Sequence, residues 1–269
     1  MHDQKVKKII QQTIRILDFH QSLGLEYYAG TPGIKEFLAA KPEEDEPIYP
    51  DSHVAGKPAR PSVKIPPVLS PEEGATLEGI RNETMGCTRC GLHSSPNRIV
   101  FDNHEANKVN AQYPGQSLFI VGDWPCSEDH RQGTPFCGES GELLTNMLKA
   151  INLRRDEVYI TNVIKCVPPA GHNPSADEIT ACLPFLMRQT AIVRPRIICL
   201  MGDFAARSLL GTDKGILKFR GRFYNFHGTP LMPTFHPAFL IKYPDMKKGA
   251  WNDLQMIQRK LSHLQRMIP

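Results

Sequence analysis

The sequence predicts an α/β fold, a largely parallel sheet of about four strands covered by helices on both faces. Two observations carry this. Residues 118–121, 158–164 and 197–201 are short, continuous apolar runs, as in strands buried on both sides. Between them, residues 141–151, 176–193 and 203–210 follow helical periodicity, and strands alternating with helices build parallel sheets. Ligands of such folds sit beyond the C-terminal ends of the strands.

In chain order, Val6, Ile9, Ile10, Ile14 and Leu17 predict an amphipathic helix over 4–23, expected to pack on its own domain. With the residues up to 40 it makes an N-terminal helical appendage. Residues 41–68 contain Pro42, Pro47, Pro50, Pro58, Pro61, Pro66 and Pro67 and an acidic run, Glu43-Glu44-Asp45-Glu46. This composition cannot bury enough surface to fold alone and predicts a linker. The main domain then covers 69–269. It opens on Ser70-Pro71-Glu72-Glu73, a helix-start signature of cap, first-turn proline and glutamate three residues after the cap. Ser175 and Glu178 form a second capping box. Residues 229–232 are a weaker fourth strand, and a last helix is expected over 250–265.

Among the 269 residues no run approaches the ~20 consecutive apolar residues that cross a bilayer. The opening MHDQKVKKII lacks the apolar core and cleavage site of a secretory signal. We therefore expect a cytoplasmic chain with no membrane partner. Thiols stay reduced there, so the seven cysteines are expected as metal ligands, reactive groups or core residues. The net charge of +4 permits a polyanionic partner without demanding one. Lys214, Lys218, Arg220 and Arg222 lie close together, and Lys242, Lys247 and Lys248 follow; by themselves they read as solvated surface.

Cys87-Thr88-Arg89-Cys90 is a CxxC pair, Cys166 ends the second strand, and Cys182 lies in the helix after it. Two adjacent thiolates and two distant ones can converge on one centre, and the spacing suits zinc or a [4Fe-4S] cluster equally. The competing reading makes Cys166 and Cys182 buried core residues. Cys199, inside an apolar strand, is expected in the core.

Three loops after strands carry residue types that a base-binding pocket needs. Gly122-Asp123-Trp124-Pro125 leads on to Gly133-Thr134-Pro135-Phe136-Cys137-Gly138, bringing a carboxylate to a strand end and an aromatic face in a tight loop. Asn162 carries both donor and acceptor and can read a pyrimidine edge. His236, fixed by Pro237, can donate to a developing oxyanion. Each has a plainer role as core ring, turn residue or structural histidine.

Taken together these blocks resemble the family-4, iron–sulfur branch of the uracil-DNA glycosylases. The resemblance runs from about Cys87 to Leu264. It covers CTRCGLH with Arg98 and Val100-Phe101, GTPFCGESGELL, YITNVIKCVPP, ACLPFL, RPRIICLMGDFAARSLLG, FRGRF, PTFHPAFLI and WNDL. It implies a three-layer α/β/α sandwich and a [4Fe-4S] cluster on Cys87, Cys90, Cys166 and Cys182. It also implies that Phe136 stacks on a flipped uracil, Asn162 reads its edge and His236 contacts O2, with Asp123 as the catalytic carboxylate. The expected reaction is hydrolysis of the N-glycosidic bond of uracil in DNA, initiating base excision repair by a monomer. Leu240 and Ile241 are expected to wedge the duplex, with Lys242 on phosphate. The N-terminal appendage could recruit a repair partner.

One loop departs from the family. Where it has Gly-Glu-(Ala or Gly)-Pro-Gly, this chain has Gly122-Asp123-Trp124-Pro125-Cys126. Asp123 is one methylene shorter, and Cys126 adopts positive φ less readily than glycine. Trp124 either fills the pocket or turns outward. The alternative reading is therefore a non-catalytic or altered-specificity relative that binds DNA or a repair partner.

Overall fold

The structure, a computed structural model, describes residues 75–94, 99–103, 118–212 and 214–266. The predicted N-terminal helix, the linker, the Ser70–Pro71 helix start and Arg98 lie outside the described residues. In chain order the elements are α1 (Leu77–Met85), β1 (Leu118–Gly122), α2 (Ser127–Gln132), α3 (Gly138–Ala150), β2 (Tyr159–Asn162), α4 (Ala176–Val193), β3 (Ile197–Met201), α5 (Asp203–Leu210), α6 (Ile216–Phe219), β4 (Tyr224–Phe226), β5 (Thr229–Thr234), α7 (Pro237–Lys242) and α8 (Lys247–Arg266). Thr76 caps α1, its hydroxyl accepting from the Gly79 N–H at 3.0 Å.

Among the described residues the sheet has five strands, in the order β2-β1-β3-β5-β4, where the sequence predicts about four. β1, β2, β3 and β5 are parallel, and β4 pairs antiparallel with β5. The added strand is three residues long and joins β5 through His227 and Gly228, both at positive φ. Such a two-residue turn matches strand twist. The sequence hid it because β4 is too short to show a period.

Every residue of β1, β2 and β3 is buried, which explains their unbroken apolar runs. Alternate residues feed two cores. Phe119, Val121, Ile198 and Leu200 pack with Ile80 of α1 and with Leu183 and Leu186 of α4. Leu118, Ile120, Ile197 and Cys199 pack with Leu144 and Leu148 of α3 and with Leu254 and Ile257 of α8. The result is the expected three-layer sandwich, with Cys199 wholly in its core. Ser175 caps α4 in the predicted box with Glu178.

The outer side of β2 is lined by residues 99–103. Val100 N–H donates to the Lys165 carbonyl, Asn103 N–H to the Ile160 carbonyl, and Ile160 N–H to Asn103 Oδ1. β2 itself stops at Asn162, short of the 158–164 run. The amides of Val163 and Ile164 turn to the carbonyls of Gly122 and Asp123, so the chain closes over the end of β1.

Candidate active site

The parallel register places Gly122 beside Asn162 at the C-terminal ends of β1 and β2. Gly122 has no spare room, since a Cβ there would collide with both the Asn162 amide and the Phe136 ring. Asn162 is buried, and its Nδ2 has no hydrogen-bond partner among the described residues. A buried amide donor left unpaired is costly and marks a place where a ligand oxygen would be satisfied.

Phe136 is buried at the start of α3, with its backbone in the left-handed region at φ 58°. A non-glycine residue there costs roughly 1–2 kcal/mol, so its surroundings must impose the shape. Its ring stacks on that of His236 at 5.1 Å. His236 caps α7, and its Nδ1 accepts from the Ala238 N–H at 3.1 Å. In neutral imidazole that leaves the proton on Nε2, a fixed donor. Burial lowers the His236 pKa to about 4. Behind the histidine loop, Asp253 accepts from Thr234 at 2.7 Å and from the Arg220 guanidinium at 3.0 and 3.1 Å. Arg220 is thus an internal brace, and the sequence misplaces it in the solvated cluster.

Asp123 follows Gly122. Its Oδ1 accepts from the Ala205 N–H at 2.8 Å, in the first turn of α5, where helix N-termini favour negative charge. The carboxylate lies against Gly202, at φ 118°, where any Cβ would strike it. Burial nevertheless pushes its pKa up to about 7; the Ala205 amide lowers it and Asp203 raises it. Trp124 packs in the first core, edge-on to Phe204 at 4.8 Å, whereas Phe136 belongs to the second. Cys126 is extended at φ −97° and caps α2, so the loop needs no glycine there. Asp129 ties both ends of this loop, accepting from the Cys126 N–H at 2.9 Å and the Cys137 N–H at 2.7 Å.

The helix α7 corrects one expectation. Leu240 is 1% exposed and packs in the second core, so it presents no wedge to a duplex. The turn of α7 points Ile241 and Lys242 outward instead.

Cys87, Cys90 and Cys166 pack beside Cys182 at one edge of the first core. Burial, then the neighbouring thiols, push the Cys166 pKa up to about 12. Burial pushes Cys182 to about 11, opposed by the Lys165 ammonium. The four side chains therefore lie within each other's fields. Among the described residues, no three such groups close tightly enough for a single metal ion.

The family model for the uracil DNA glycosylase superfamily matches residues 111–255. The chain is 36% identical to a type-4 uracil-DNA glycosylase of Sulfurisphaera tokodaii, over 68% of this chain and 84% of that one. The chain belongs to the type-4 uracil-DNA glycosylases. Relatives of the same type in Archaeoglobus fulgidus and Pyrobaculum aerophilum are each 32% identical, over 68% and 67% of this chain and 92% of theirs.

Within this type-4 chain the fold brings Phe136, Asn162 and His236 to one place, with Asp123 next to it. Sequence reasoning missed Asp129, Arg155 and Lys165. Lys165 is fully buried, its Nζ donating to Thr161 Oγ1 at 2.7 Å and the Asn162 carbonyl at 2.6 Å. A lysine inside an apolar run was the available signal. Arg155, in a run of charged residues, gave none.

Proposed function

We propose that this protein hydrolyses the N-glycosidic bond of uracil in DNA as the first step of base excision repair. The observation that carries the reading is the buried, unpartnered Asn162 amide beside Phe136 and His236. Uracil offers an acceptor at O4 and a donor at N3, which one asparagine amide matches; cytosine reverses both. The base must leave the duplex to reach such a site, where the Phe136 ring would stack on it.

As the C1′–N1 bond breaks, its electron pair goes to the departing base and negative charge gathers on O2. The Nε2–H of neutral His236 donates to that oxygen. Ionised Asp123 supplies a negative field for the cationic sugar; water adds at C1′ and gives up a proton to solvent, which in turn protonates the departing uracil anion, so the products are the abasic sugar and uracil. Ile241 would enter the duplex beside the extruded nucleotide, with Lys242 on a phosphate.

Cys87, Cys90, Cys166 and Cys182 would hold a [4Fe-4S] cluster. Four thiolates drawn from two distant parts of the chain and packed against one core are the donor set such a cluster takes. The cluster would order the loop after α1 and the loop after β2; no step of the hydrolysis runs through it.

The test uses an oligonucleotide with one uracil, followed by alkaline cleavage of abasic sites. We expect cleavage by the cluster-loaded protein. His236→Ala should lose about 10²–10³-fold and Asn162→Ala about 10–100-fold. No cleavage of single strands, U·A or U·G duplexes would overturn this reading in favour of an altered-specificity or non-catalytic relative.

A further inference from the structure

We infer that Arg155 is a positioning residue for the base-stacking ring, holding the Phe136 backbone in the shape that stacking requires. The inference rests on the reading of Phe136 given above. Arg155 lies on a single helical turn, Arg155–Glu157, that leads into β2. Its Nη2 donates to the Pro135 carbonyl at 2.7 Å and to the Phe136 carbonyl at 2.9 Å. Its Nη1 reaches the Gly141 carbonyl at 3.3 Å. The planar fork of a guanidinium can span several carbonyls in fixed directions, which the point charge of a lysine cannot.

Two further constraints close the same clamp. Gly141 leaves no space for a side chain, because a Cβ there would strike the Phe136 carbonyl. The next amide, Cys137 N–H, donates to buried Asp129. Phe136 itself, between these anchors, sits at φ 58°. A bulky residue remains in that region only where the surroundings over-determine it, and Arg155 supplies the largest share of the bonds that do so. Because Arg155 stands just ahead of β2 and Asn162 ends that strand, one side chain ties the stacking ring to the strand that reads the base. Removing it frees Phe136 to relax from the left-handed region while Asn162 and His236 stay in place.

The experiment is a double-mutant cycle on the cluster-loaded protein, read by single-turnover excision of uracil and by binding to abasic DNA. Arg155→Ala should slow excision by about 10–100-fold, the scale of a small misplacement of a reacting group, and change abasic-DNA affinity by less than about 3-fold. In a Phe136→Ala background the same change should add less than about 3-fold, since partners acting as a unit are non-additive. Arg155→Lys, which keeps charge and bulk, should melt close to the native protein and show the same non-additivity. Losses that multiply, or an Arg155→Ala protein with native excision beside a slow Phe136→Ala, would overturn the inference and leave the stacking role standing. Native excision by Phe136→Ala would instead overturn the stacking role, and the inference with it.

Discussion

The Asp123 carboxyl and the His236 imidazole titrate in different ranges, near 7 and near 4. The Asp123 carboxyl is pushed up to about 7 by burial, so the ionised form that the mechanism uses prevails only above that pH. Excision is therefore expected to rise through an acid limb near pH 7, and Asp123→Asn should remove the limb together with most of the rate. His236, lowered to about 4, stays neutral across this range and adds no limb of its own. The same shift bears on stability. A carboxyl whose folded pKa lies above its unfolded value stabilises most below about pH 4, and that stabilisation is lost as pH rises through 7. The melting temperature of the native protein should fall relative to Asp123→Asn between pH 4 and 7. Asn162 and His236 were legible because strand-end polar residues in apolar runs stand out. Asp129 and Arg155 were not, because they act through backbone groups that sequence does not display.

Helix α7 shows how one turn decides which side chain faces outward. Residues four apart share a helix face and adjacent ones do not, so Leu240 and Ile241 cannot both point outward. Leu240→Ala should cost about 2–5 kcal/mol of stability by leaving a cavity, read in a denaturant melt. Ile241→Ala should leave the melt unchanged and slow excision in duplex more than in single strands; equal slowing on both would remove Ile241 from the interface. The sequence located α7 only as part of the FHPAFLI block, since six residues are too few to show a period. The eighteen residues of α4, with a capping box at the start, were readable at both ends.

At the scale of the molecule, the two halves of the cysteine set come from distant parts of the chain: Cys87 and Cys90 follow α1, and Cys182 lies within α4, with both helices packed on one face of the sheet. Loading a cluster would require the Cys90, Cys166 and Cys182 thiols, which burial keeps protonated, to give up their protons, and would contribute directly to stability. Cys182→Ser should lower bound iron and acid-labile sulfide and the melting temperature together, whereas Cys199→Ser should retain its iron. Native iron content in Cys182→Ser would remove that residue from the ligand set. The layering was legible because fully buried strands and capped helices leave strong patterns. The fifth strand and the segment of residues 99–103 were not, since their bonds run to distant backbone.

That segment has a consequence for how the molecule behaves in company. An unpaired strand edge is a template for joining another chain. Here Asn103 bonds Ile160 of β2 in both directions, Val100 bonds the Lys165 carbonyl just past the strand, and the opposite border among the described residues, β4, is three residues long. Among the described residues, neither border gives a long, flat row of free amides. Copies crowded along the same nucleic acid would meet through side chains, with little opportunity to zip into a continuous sheet and aggregate.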